Sequence, residues 1–340
     1  MKRLMIFVGM IVLSSMVLVK LQPSEAAPNA GDCALPGCTQ RFVVAPNGVT
    51  LAVKEFGNPG SPTIMLIHGF SQSHLSWNRQ FEDLVEKGFR VVAWDYPGHG
   101  DSDKPTDVSF YAQPQVWGDY VQAVIDDLAV DKVCLVGHSQ GGMVIDDYIF
   151  IKGTGNVAGV VYDGGAHRFD GIPGATPEFF DTAFRLVDPE LSVRLQATMD
   201  FIDMLTDQGL PSEEVTNIAM YNMHVIREAI WGLFAYAGWP KPAGYDGAVL
   251  DGLASVPVLF IHGDKDVILP VGNSEVSLDL IQQAAAGGAD VELITLDGVG
   301  HSPQFEVRNK FNDDVAEFCG SHLGNSRRLC ATRSRFICQG

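Results

Sequence analysis

The sequence predicts an α/β fold: a mostly parallel sheet that opens with an N-terminal hairpin, carries flanking helices and holds an inserted helical cap. Three observations lead there. Short β-branched segments, apolar on both faces, recur along the chain as the buried strands of a parallel sheet do. Segments with helical spacing alternate with them, which is the order of a covered parallel sheet. Finally, roughly 85 residues, 166–251, read as helices without a strong strand, where one crossover helix would suffice.

In chain order, Lys2 and Arg3 precede an apolar run over residues 4–19, followed by Ser24, Ala26 and Ala27. This is the charge, length and small-residue pattern of a secretory signal peptide, residues 1–26, cleaved after Ala26. An uncleaved anchor is the alternative, although 16 residues are short for a membrane span. Residues 41–45 and 49–56, joined through Pro46-Asn47-Gly48, read as the hairpin. Continuous strands are then expected at 63–68, 90–94, 132–137, 157–162, 256–262 and 291–296. Helices are expected at 77–87, 115–128, 141–152, 274–286 and 304–318. The organisation is therefore a core in two parts, 27–165 and 252–320, split by the cap at 166–251 and followed by a Cys-rich tail, 321–340. Most of the cap's aromatic and Met side chains should pack among its own helices, and some should face an enclosed apolar cleft over the sheet edge.

The chain of 340 residues carries a formal net charge of −18. Loss of residues 1–26 removes three cations and one anion and shifts it to −20. Such a field repels phosphate backbones and anionic headgroups, so neither nucleic acid nor a membrane surface is an expected partner of the mature chain. Six cysteines stand at 33, 38, 134, 319, 330 and 338, and export favours disulfides. Cys33 with Cys38 and Cys330 with Cys338 would each close a small terminal loop. Cys134, inside an apolar strand, reads as a buried free thiol. No spacing suggests zinc, and no metal or organic cofactor is expected.

The chemistry centres on "KVCLVGHSQGG", residues 132–142. Ser139 lies between Gly137 and Gly141, after a predicted strand and before a predicted helix, the context a nucleophile elbow requires. Side chains at −2 and +2 would collide with neighbouring backbone in so tight a turn. The competing reading is a serine that merely caps the helix. A serine hydroxyl needs an adjacent base, and His301, in the loop after the strand at 291–296, emerges at the same sheet edge. His322, beyond the last helix, reads as solvated. The base needs a carboxylate to orient it. Asp266, in the loop after the strand at 256–262, is the first choice; Asp264 shares its loop, and Asp163, ending the strand at 157–162, is the runner-up. Backbone N–H groups of Gln140 and of Phe70, after "LIHG", would stabilise a developing oxyanion. His68 reads as a structural hydrogen-bonder rather than a base.

Together "LIHGF" with "SW" downstream, "DYPGHGDSDKP", "GHSQGG", "HGDKDVILP" and "GVGHSP" resemble the α/β-hydrolase superfamily, in its capped branch. That branch holds serine esterases, carbon-carbon bond hydrolases, cofactor-free haloperoxidase-like enzymes, epoxide hydrolases and dehalogenases. The resemblance spans residues 41 to 318 and implies the α/β-hydrolase fold, with Ser139, Asp266 and His301 as triad and Phe70 and Gln140 as oxyanion hole. It also implies structural roles for Asp95, Gly98, His99, Gly100 and Ser102. Epoxide hydrolases and dehalogenases of this type carry Asp where this chain has Ser139, which disfavours their chemistry. The expected activity is a secreted serine hydrolase acting through an acyl-enzyme on an ester, thioester or lactone with a small to medium apolar acyl group. A lyase or perhydrolase with the same triad, or a slow-turnover ligand-binding protein, are the alternatives.

Overall fold

A computed structural model describes residues 31–33 and 35–324 of the chain. The predicted signal peptide and the Cys330–Cys338 pair lie outside the described residues. Nine strands form one sheet: β1 (Gly31–Asp32), β2 (Cys38–Val44), β3 (Thr50–Phe56), β4 (Thr63–Ile67), β5 (Arg90–Trp94), β6 (Val133–His138), β7 (Val157–Asp163), β8 (Val258–Gly263) and β9 (Val291–Leu296). Their order across it is β1-β2-β3-β5-β4-β6-β7-β8-β9. The pairs from β5 through β4, β6, β7 and β8 to β9 are all parallel, while β1, β2 and β3 add an antiparallel edge. The hairpin closes where predicted, with Gly48 at φ 86° donating to the Ala45 carbonyl.

Every residue of β4, β5 and β6 is buried. The two-residue period of a strand splits them between two cores. Met65, Ile67, Val92, Trp94 and Leu135 enter one; Ile64, Leu66, Val91, Ala93, Cys134 and Val136 enter the other. The helices cover both: α1 (Phe81–Glu86), α2 (Pro114–Leu128) and α3 (Gln140–Lys152) come first. Between β7 and β8 run α4 (Pro177–Arg185), α5 (Leu191–Met204), α6 (Ser212–Met223), α7 (Arg227–Ala237) and α8 (Tyr245–Ala254). The chain closes with α9 (Gly272–Ala284), α10 (Pro303–Glu306) and α11 (Arg308–His322).

Three expectations need correction. The helix predicted over 77–87 is a 3-10 turn, His74–Trp77, followed by the short α1. The helix predicted over 304–318 breaks at Val307, φ −125° and ψ 43°, into α10 and α11. Glu306 ends α10 by accepting hydrogen bonds from the Gly300, Asp207 and Gln208 amides, ties that hold the turn in place. Third, Cys134 is not a free thiol. It is bonded to Cys319 of α11, with Cα atoms 5.7 Å apart, and Cys33 is bonded to Cys38. Strand alternation turns Cys134 toward the core that α11 covers, within disulfide reach.

The Cys134–Cys319 bond spans 185 residues of sequence, so it removes much freedom from the unfolded chain. Replacing both cysteines by alanine is expected to lower stability by about 3 to 5 kcal/mol. The urea midpoint measures this, and an unchanged midpoint would refute it.

Candidate active site

Ser139 stands between β6 and α3 at φ 51° and ψ −121°, a strained conformation for a residue with a side chain. Three backbone bonds hold it there: Ser139 N–H donates to the Asp163 carbonyl (3.0 Å), while the Gly142 and Ala166 amides donate to the Ser139 carbonyl (2.9 and 2.8 Å). The flanking glycines are sterically required. A Cβ on Gly141 would lie 2.4 Å from the Ile67 carbonyl oxygen, and one on Gly137 would lie 2.8 Å from the Gly141 carbonyl. The hydroxyl makes no capping bond to the helix, which removes the competing reading of Ser139 as a cap.

The loop after β4 crosses directly beside this turn: a Cβ on Gly69 would sit 3.0 Å from the Ser139 Cβ. Phe70 and Gln140 are both buried and both line the cleft that contains Ser139. Among the described residues neither amide donates to a backbone or side-chain acceptor. Two free N–H groups beside one hydroxyl are what an oxyanion site needs.

Asp266 follows β8 and is saturated with donors. Its Oδ1 accepts from the Ile268 and Leu269 amides, 2.8 Å each, and its Oδ2 lies 2.7 Å from His301 Nδ1 and 2.9 Å from His262 Nε2. Burial pushes this carboxyl upward, but the His301 charge and the bonds from His262 and His301 outweigh it and hold Asp266 well below the usual carboxylate range. The other two candidates are elsewhere engaged or unengaged. Asp264 caps the β9 turn through the Gly298 amide and pairs with Lys265. Asp163 is fully buried with both oxygens unpartnered among the described residues. Burial, then the Asp266 charge, pushes its pKa far up.

His301 is placed beside the Ser139 turn by a shared neighbour. The ring of His138, the residue before Ser139, lies 4.9 Å from the His301 ring, and its Nε2 is 3.1 Å from the His301 carbonyl. Among the described residues no hydrogen bond joins the Ser139 hydroxyl to His301 Nε2, and neither atom is engaged elsewhere. Such bonds commonly tighten only when substrate is present.

Sequence reasoning missed three supports. His138 braces His301 as described, and its Nδ1 lies 3.1 Å from Gln72 Oε1. His262 shares Asp266. Asn222 on α6 donates to the Ser71 carbonyl (2.9 Å) and hydroxyl (2.8 Å), holding the oxyanion loop from the cap. His138 ends β6 next to Ser139 and His262 lies near the end of β8, one turn before Asp266, a signal that was present; Asn222 had none.

His68 accepts from the Tyr96 amide at Nε2 and donates from Nδ1 to the Gly69 carbonyl, a neutral structural imidazole. In the "DYPGHG" turn Asp95 accepts from the His74 and Asp101 amides. A Cβ on Gly100 would overlap its carboxylate at 2.2 Å, and Ser102 Oγ donates to its carbonyl. Burial, reinforced by neighbouring histidines, lowers His68 and His138 to about 3, and burial lowers His99 to about 4. These groups stay neutral in the fold but protonate near 6.5 when unfolded, so the stability they lend is complete above pH 6.5 and is lost as pH falls toward 4. Each is expected to cost about 2 kcal/mol at pH 5. A melting temperature equal at pH 5 and pH 7 would contradict this.

The cleft onto which Ser139, Phe70 and Gln140 open holds about 450 Å³, within the range of small-molecule sites. Its walls are apolar: Phe70 meets Phe179 and Phe234 of the cap with ring centroids 5.6 Å apart, and Met143, Leu233 and Ile268 fill in. Arg168, Lys241 and Asn273 add polarity to its lining.

Comparison with known proteins agrees with this architecture. A non-heme haloperoxidase of Rhodococcus erythropolis is 27% identical over 272 residues, 72% of this chain and 88% of that protein. Epoxide hydrolase A of Mycobacterium tuberculosis is 35% identical over 109 residues, but the match spans only 34% of its length. Among solved structures, the esterase RhEst1 of Rhodococcus sp. ECU1013 superposes with a TM-score of 0.71 at 25% identity, covering 83% of this chain and 99% of that one. The family model described as "Alpha/beta hydrolase family" matches residues 64–317. With an elbow serine on a parallel sheet and a family match over most of its length, the chain belongs to the alpha/beta hydrolase family.

Proposed function

We propose that this protein is a serine hydrolase that cleaves carboxylic esters, thioesters or lactones through an acyl-enzyme. The observation that carries this reading is the convergence, at one sheet edge, of the strained Ser139, two unpaired amides and the His301–Asp266 pair. Ser139 Oγ attacks the acyl carbonyl while His301 Nε2 takes its proton. The oxyanion that forms is held by the Phe70 and Gln140 amides, each worth about 3 to 4 kcal/mol of transition-state stabilisation. His301 returns the proton to the leaving alcohol, thiol or lactone hydroxyl. Water, deprotonated by His301, then releases the acid and restores Ser139. Asp266 keeps the proton on His301 Nδ1 and stabilises the imidazolium. No cofactor enters these steps.

The apolar walls and the cleft volume suit a small to medium acyl group. The predicted signal peptide makes the mature protein a secreted one that begins at Ala27, and N-terminal sequencing tests this. A fluorophosphonate label, located by peptide mapping and run beside a panel of acyl chain lengths, lactones and aryl esters, tests the activity. Labelling at Ser139 with ester turnover is expected; labelling with negligible turnover of every ester would favour a ligand-binding role instead. The haloperoxidase likeness supports a second reading, perhydrolysis. There hydrogen peroxide replaces water on the acyl-enzyme, giving a peracid and free Ser139, and peracid formation from ester and peroxide measures it.

A further inference from the structure

Apolar side chains are left in water selectively. Among the described residues, nine of the twelve large exposed hydrophobic side chains lie between residues 180 and 239, in the cap. On α5 they are Leu191, Leu195 and Met199, spaced four apart along one face. A second apolar face on helices that already bury a first is not needed for folding and marks a contact surface.

The part of this surface on α4 and α7 runs into the cleft. Phe70, beside Ser139, meets Phe234 at 5.6 Å; Phe234 meets Phe184 at 4.7 Å and Trp231 at 5.8 Å. Phe184 and Trp231 are 51% and 48% exposed. Phe180 and Trp239 line the cleft and are also exposed at its rim. An unbroken row of aromatic rings therefore leads from the oxyanion loop to the outer surface of the cap.

Charge selects the occupant. Over residues 166–251 the cap carries thirteen Asp and Glu residues against four Arg and one Lys. Such a rim repels an anionic lipid surface and leaves an uncharged apolar phase as the fitting partner. We propose that the cap is a docking surface for the aggregated, uncharged ester substrate itself, which passes acyl groups along the aromatic row to Ser139. This rests on the reading of the cleft as an acyl site.

Adsorption is tested without turnover, using full-length mature protein with Ser139→Ala and a triolein emulsion. The protein is expected to float with the droplets and to stay behind from phosphatidylglycerol vesicles. Adding Trp231→Ser and Leu195→Ser, on α7 and α5, should cut the floated fraction about tenfold. With Ser139 present, that pair should leave turnover of soluble p-nitrophenyl acetate within twofold, which also shows it folds. Wild-type turnover of tributyrin should rise severalfold past the solubility limit, and the pair should abolish the rise. If the pair unfolds the chain, Trp231→Gln alone replaces it, with about a threefold loss expected. Equal flotation of variant and parent, equal recruitment to anionic vesicles, or a wild-type dimer that Trp231→Ser dissociates would overturn the proposal. Flotation as expected without turnover of any ester would instead refute the ester reading and leave the surface standing.

Discussion

Ser139→Ala is expected to lower kcat/KM on a soluble ester by about 10⁴- to 10⁶-fold, with KM and melting temperature nearly unchanged. The size follows from removing the only atom that forms the acyl bond, while the Phe70 and Gln140 amides and the apolar walls still bind substrate. Alanine also keeps the Cβ, so it adds no bulk toward the Gly69 loop. The positive φ at position 139 remains strained for alanine, which is why stability should not rise appreciably. Residual rate within tenfold of the wild type, or fluorophosphonate labelling that persists in the variant, would rule Ser139 out as nucleophile.

The second large effect is at the acid. Asp266→Asn should lower kcat about 10⁴-fold, because an amide that donates toward His301 Nδ1 imposes the wrong tautomer and cannot stabilise an imidazolium. Two neighbouring carboxyls provide the control. Asp163→Asn should leave kcat within about threefold, since neither of its carboxyl oxygens meets a donor among the described residues. Asp264→Asn should change kcat little, since Asp264 is engaged with the Gly298 amide and Lys265 and not with His301. An inactive Asp163 variant beside active Asp264 and Asp266 variants would move the triad acid to Asp163 and refute the assignment.

Much of the site was legible because each candidate sits just past a strand whose pattern is strong. β5 and β9 fall on the predicted residues, and a parallel sheet sends all such loops to one edge. What stayed hidden depended on side chains meeting across long separations. His138 shows its position next to Ser139 in the sequence, but not that its ring packs against His301, 163 residues further on. Asn222 lies in a helix of unremarkable polar pattern, and only cap closure brings it to Ser71.

Cys134 makes the same point for stability. Its apolar neighbours correctly indicated burial, and strand alternation set the face; the identity of what covers that face, α11 and Cys319, is a packing result. Local order, namely strand period, turn glycines and the Ser139 elbow, was determined by the sequence alone, because it depends on steric limits within a few residues. The hydrogen-bond partners of Asp266, the unpartnered burial of Asp163, the course of the aromatic row and the 134–319 bond were decided only by the tertiary structure. They depend on distances between segments that no local rule sets.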